Sequence, residues 1–240
     1  RRQRQMCIRD RNSTIHQGKD LSYNNIMDAD AAVSCVSEFK QPGCVVIKHA
    51  NPCGAAVSDN VYDSFLKALN ADRLSAFGGI VALNRECTTE IAKELSDFFI
   101  EIIVAPSFTK ESLEIFSSKK NLRVIELVSL DGFNDKTSVR NINGGLLLQE
   151  TDTFTVDAKS LKIVTDSKIS PNTYGTIEFG WTVLKYIKSN GILIVKNNVT
   201  LGVGAGQVSR VDSVDIAITK ASGDITVSYT HLRAHETKTD

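Results

Sequence analysis

Lys48 and His49 are neighbours at the end of a short apolar run, Cys44-Val45-Val46-Ile47, and just ahead of Asn51-Pro52-Cys53-Gly54. The run reads as a buried β-strand. Asn-Pro followed by Gly reads as the turn that ends it, because Pro fixes φ and Gly tolerates a positive one. Successive side chains on a strand point to opposite faces, so adjacent residues can share a pocket only where the strand is ending. A cation beside a histidine, the side-chain type that titrates near neutrality, could hold charge and move a proton on a bound substrate. The same pair also fits a capped strand with one exposed lysine and one hydrogen-bonded histidine. The spacing alone leaves both readings open.

Three other patterns bear on chemistry. Glu101 falls in an otherwise apolar segment, Ile100 to Pro106. A buried carboxylate is costly unless paired, so Glu101 is expected to have a partner or to face a ligand. The run Gly202-Val203-Gly204-Ala205-Gly206 invites a dinucleotide-binding reading, but a hairpin precedes it and no second strand follows. Close packing is the better account of these glycines. His49 near Pro52-Cys53 invites a zinc-deaminase centre, whose signature needs His-x-Glu and Pro-Cys-x-x-Cys. This chain has His49-Ala50-Asn51 and Pro52-Cys53-Gly54-Ala55-Ala56, so no zinc or other metal is expected.

The elements that must position these residues alternate between strand and helix. Strands are expected over 44–48, around 80–83, 100–106 and 122–128, with helices over 60–70, 88–98 and 109–118. An Ala-rich helix with an acidic first turn is expected from Ile26 to Val33, capped by Asn24 or Asn25. Arg140 to Gln149 reads as a strand after a turn, and Ser170-Pro171 as a break before a helix over 172–188. A hairpin turns at Asn197-Asn198, and a final helix starts at a Ser209 cap. The pattern predicts an α/β protein with a layered α/β/α sheet.

The 240 residues carry 28 Lys+Arg against 28 Asp+Glu, so no general electrostatic attraction to nucleic acid or anionic membrane is expected. No apolar run has the length of a membrane span. The five cysteines are odd in number and include no C-x-x-C, which reads as reduced thiols in a cytoplasmic protein. Segments 1–11 and 227–240 lack the patterning of the rest and read as non-native ends. His231 and His235 fall in the latter and are discounted as metal ligands.

Four strings occur in order: Gly18-Lys19-Asp20-Leu21-Ser22-Tyr23-Asn24-Asn25, Lys48-His49-Ala50-Asn51-Pro52-Cys53-Gly54, Ser75-Ala76-Phe77-Gly78, and Ser189-Asn190 followed by Gly202 to Arg210. Together they resemble the formyltransferase domain of the AICAR transformylase/IMP cyclohydrolase family. The resemblance covers about residues 12–224. It implies two cytidine-deaminase-like lobes without zinc: 12–150 as the first, 151–170 as a connector, and 171–226 as the start of a truncated second. It implies formyl transfer from 10-formyltetrahydrofolate to the amine of AICAR, giving FAICAR, in a parent that also acts as an IMP cyclohydrolase and works as a homodimer. In that scheme His49 takes and relays the amine proton, Lys48 stabilises the oxyanion, and Asn190 orients the carboxamide and formyl group. Arg210 grips the ribose phosphate or the nucleotide face, while Asn25, Gly78, Glu101 and Gln207 line the nucleotide site. The isolated chain is expected to be inactive. The alternative is a nucleotide-binding module of the same fold without catalysis.

Overall fold

The computed structural model describes residues 13–128, 137–164, 166, 169–221 and 229–233, and every structural statement below concerns these. Segment 1–11 lies outside them. The first part of the chain runs β1 (Ser13–Gln17), α1 (Tyr23–Ser37), β2 (Gly43–Lys48), β3 (Asn51–Val57), α2 (Val61–Ala71), α3 (Arg73–Ala76) and β4 (Ile80–Leu83). It continues with α4 (Thr89–Ser96), β5 (Ile102–Ala105), α5 (Lys110–Ser117) and β6 (Arg123–Leu127). A separate hairpin follows, β7 (Thr137–Ile142) and β8 (Gly145–Glu150). The last part is α6 (Tyr174–Leu184), β9 (Gly191–Lys196), β10 (Val199–Gly204), α7 (Arg210–Lys220) and β11 (Tyr229–Arg233).

One mixed sheet runs through both parts in the order β1-β6-β5-β4-β2-β3-β10-β9-β11. β4, β5 and β6 are parallel, joined by the crossover helices α4 and α5. The remaining pairings are antiparallel. The two parts share one hydrophobic layer and meet in the sheet where β3 pairs with β10. Val57 donates its amide to the Asn198 carbonyl at 3.0 Å, and Ala55 donates its own to Thr200 Oγ1 at 2.9 Å.

Strand alternation divides the core into two layers, as the α/β/α expectation requires. Val45 and Ile47 of β2 face α1 and α6, with Ala29, Val33, Val36, Phe179 and Val183. Cys44 and Val46 face the other way, onto Phe65 and Leu69 of α2, Leu95 of α4 and Phe116 of α5. On β9, Leu193 and Val195 join the first layer, while Ile192 and Ile194 pack under Ala217 of α7 and Ala221 just after it. Each of these fully buried large side chains contributes about 2–3 kcal/mol by the area it withdraws from water.

The glycine run behaves as close packing. A Cβ at Gly202 would sit 2.0 Å from the Ala217 carbonyl oxygen, and one at Gly204 would sit 1.9 Å from that of Ser213. Only bare backbone lets α7 lie this close to β10.

Two local expectations need correction. The turn after β2 is made by His49 and Ala50, with φ of 52° and 57°, and Asn51-Pro52-Cys53-Gly54 is already strand β3. Pro52 fits there because it sits opposite Ile47 beside an irregularity in the ladder, where its missing N–H disturbs least. Helix α1 begins at Tyr23, with no acid in its first turn. Its cap is Ser22, and Asn25 closes a reciprocal capping box: Asn25 N donates to Ser22 Oγ, and Ser22 N to Asn25 Oδ1.

Candidate active site

The register brings the candidate residues to one rim of the sheet. Ile47 of β2 pairs with Ile80 of β4, Lys48 with Asn51 of β3, and Ile80 with Ile102 of β5. Ile102 pairs with Arg123 of β6, and Gly204 of β10 pairs with Ile192 of β9. The end of β2, the starts of β3 to β6, the end of β10 and the start of β9 therefore lie side by side.

Lys48 is half-buried, and its Nζ donates to the carbonyl oxygens of Phe77 at 3.0 Å and Gly78 at 2.9 Å. An ammonium has three donors, so one remains for a ligand. Gly78 carries φ +67° and would place a Cβ 3.1 Å from Lys48 Nζ, so a side chain there would strain the backbone and crowd the cation. Its N–H is tied to the Phe99 carbonyl at 2.8 Å.

His49 is exposed on its left-handed turn. Asn51 brackets that turn to the second half of the chain. Its Nδ2 donates to the His49 carbonyl at 3.1 Å, and its Oδ1 accepts from the Lys188 amide at 3.0 Å. Lys188 leads directly into Ser189-Asn190. Asn190 is itself fixed: its Nδ2 donates to the carbonyls of Gln207 and Val208, both at 3.0 Å, and its carbonyl accepts from the buried Ser213 hydroxyl at 2.8 Å. Both amide protons are thus occupied, and what Asn190 can offer a ligand is Oδ1, an acceptor suited to an N–H group. Gln207 donates to the Ala205 carbonyl at 3.1 Å. Arg210 is exposed at the first residue of α7.

Glu101 stands just before β5 rather than within it, with its side chain 41% exposed. It does have partners. Asn25 Nδ2 donates to its Oε2 at 2.7 Å, and Arg123 Nη1 lies 3.8 Å from the same oxygen. Asn25 is buried, with its side-chain amide turned to Glu101. Arg123 in turn donates to the carbonyls of Lys19 and Asp20, which lead into α1.

The thiols do not fit a nucleophile. Burial pushes Cys53 up to about 12, with the Asp72 carboxylate adding to the rise. Cys35, Cys44 and Cys87 are raised further, again chiefly by burial. Among the described residues no group of three or more His, Cys, Asp or Glu could hold a metal ion. No described helix is long and apolar enough to cross a membrane. A polar cavity of about 240 Å³ lined by Gln41, Ser58, Asp59, Asp63, Lys67 and Asn198 lies at the opposite rim, away from Lys48.

Comparison with known proteins then places the chain. Residues 2–220 match the family model described as AICARFT/IMPCHase bienzyme. The chain belongs to that family. The bifunctional purine biosynthesis protein PurH of Anoxybacillus flavithermus is 47% identical over 204 residues, and PurH of Bacillus cereus strain B4264 is 45% identical over the same length. These alignments cover 85% of this chain and 40% of each relative, so the chain spans well under half the length of the proteins it matches. Among solved structures, form 1 of Acinetobacter baumannii RibD covers 41% of this chain and 33% of its own, at 13% identity and a TM-score of 0.32.

Within this bienzyme segment, residue patterns missed the parts that join one motif to the next. Asn51 reads as a turn residue, yet it fastens the His49 turn to the Asn190 loop. Arg123 and Ser213 carry no local signal, because their partners lie 22 residues or more away along the chain.

Proposed function

We propose that this segment carries the nucleotide and proton-handling side of AICAR formyl transfer, with 10-formyltetrahydrofolate as co-substrate. The observation that carries the reading is the shared rim: Lys48, held by two carbonyls, stands beside the His49 turn, and that turn is fastened to the Asn190 loop through Asn51 and Lys188. The AICAR amine is conjugated with its imidazole carboxamide and is a poor nucleophile. It needs a base as it attacks and a cation near the oxygen that becomes negative. His49 takes the amine proton as the new C–N bond forms, and Lys48 stabilises the oxyanion on the former formyl carbon. The bond to N10 of the folate then breaks, and the proton passes from His49 to that nitrogen. Asn190 Oδ1 orients the carboxamide, Arg210 meets the phosphate, and Gly78, Glu101 and Gln207 line the nucleotide.

The same reading takes the helix-flanked mixed sheet as cytidine-deaminase-like lobes, the second of them partial, in a cytoplasmic homodimer without zinc. A full-length bienzyme carrying this segment is expected to convert AICAR and 10-formyltetrahydrofolate into FAICAR, followed by product chromatography. Tight AICAR binding without product would favour the non-catalytic module instead.

A further inference from the structure

Helix α7 touches both halves of the site. Near its start, Ser213 donates to the Asn190 carbonyl at 2.8 Å, and the bare backbone of Gly204 and Gly202 seats the helix on β10. At its end, Lys220 Nζ bonds to Asp72 Oδ2 and donates to Ser75 Oγ at 2.9 Å. Asp72 is more than an ion-pair partner. It closes α2 and caps α3, its Oδ1 accepting from the Ser75 amide at 2.9 Å. Five and six residues after Asp72 the chain reaches Phe77 and Gly78, whose carbonyls hold Lys48.

Burial alone would raise the Asp72 carboxyl, but the hydrogen bonds from Lys220 and Ser75 outweigh it and hold Asp72 below the usual carboxylate range. The Cys53 thiol, two residues beyond Asn51, feels the charges of Asp72, Lys220 and Lys48 together, so the pair and the catalytic cation share one neighbourhood. The 72–79 segment has other moorings. Arg73 lies over the Phe98 ring at 4.8 Å, and Phe77 packs on Phe98 and Phe99. Those contacts fix it to the first half of the chain, whereas Lys220 ties it to the element that holds Asn190.

We propose that Lys220 and Asp72 are positioning residues for formyl transfer: their ion pair lets α7 set the Phe77 and Gly78 carbonyls, and through them Lys48, in register with Asn190. The inference rests on the formyl-transfer reading for its catalytic consequence, but not for the tether itself. An exposed pair would be worth little, but the Asp72 side chain is only 12% exposed, against 35% for Lys220, and the pair joins the capping residue of α3 to α7.

Amide hydrogen exchange on the chain tests the tether directly. The amides of Ala76, Gly78 and Gly79 are hydrogen-bonded to Asp72, Phe99 and Ala76 respectively. Lys220→Met is expected to speed exchange across 73–79 about tenfold, while Lys220→Arg leaves it near wild type. Unchanged exchange in Lys220→Met, or equal acceleration in both variants, overturns the proposal. In a full-length bienzyme, Lys220→Met is expected to lower kcat about tenfold with the KM for AICAR within about twofold, and Lys220→Arg to restore it. Faster exchange with wild-type kcat also overturns it. If the formyl-transfer reading fails, the wild type makes no FAICAR, and the exchange comparison still decides whether the tether exists.

Discussion

His49→Ala in a full-length bienzyme carrying this segment is expected to lower the turnover of formyl transfer by about 10²–10⁴, or about 3–5 kcal/mol of barrier, with AICAR affinity almost unchanged. The split follows from placement. His49 is exposed on a two-residue turn and supports no core side chain, so its removal should not unfold the sheet. The residues assigned to hold the nucleotide sit on other elements: Glu101 before β5, Gln207 after β10, Arg210 on α7. A base is needed only as the amine attacks, so its loss should appear in kcat rather than in binding. Steady-state kinetics with AICAR and 10-formyltetrahydrofolate, alongside equilibrium binding of AICAR, read both quantities. Near-normal turnover in His49→Ala would remove it from the chemistry.

Lys48→Met is expected to cost about 10²–10³ in kcat, the scale for losing one preorganised group at a developing oxyanion. Methionine keeps much of the stem but leaves the Phe77 and Gly78 carbonyls without their ammonium. That adds a stability loss of about 1–2 kcal/mol, separable by thermal denaturation. Lys48→Arg should rescue little. The larger planar guanidinium must fit where even a Cβ on Gly78 would come within 3.1 Å of the present ammonium. A Lys48→Met enzyme within about threefold of wild-type kcat would show that the cation serves the loop rather than the reaction.

The strand end at Lys48, the hairpin turn and the last helix cap were legible because a few neighbouring residues encode each of them. An apolar β-branched run that stops at Lys48 announces a strand end, and Ser209 and Asn197-Asn198 announce a cap and a turn by their own chemistry. Where the β2 turn falls was not legible. Asn51-Pro52 has the better turn composition, but tertiary demands prevail. Asn51 is needed extended so that its side chain can reach both the His49 carbonyl and the Lys188 amide. His49 and Ala50 therefore take the left-handed conformation, at a cost of about 1–2 kcal/mol each, as happens where the surrounding structure over-determines a functional turn. Glu101 was rightly marked as a carboxylate needing a partner, but Asn25 and Arg123 are 76 and 22 residues distant and no periodicity reveals them. Strand order escaped for the same reason: β3 and β10 are bonded through Ala55 and Thr200, 145 residues apart along the chain.

The most direct measurement is a crystal structure of a full-length bienzyme carrying this segment with AICAR bound. The exocyclic amine should lie within about 3.2 Å of the His49 ring, the carboxamide against Asn190 Oδ1, and the third Lys48 donor directed at the adjoining space where the formyl oxygen must sit. A nucleotide bound elsewhere, or one whose amine is turned away from Lys48 and His49, would contradict the account.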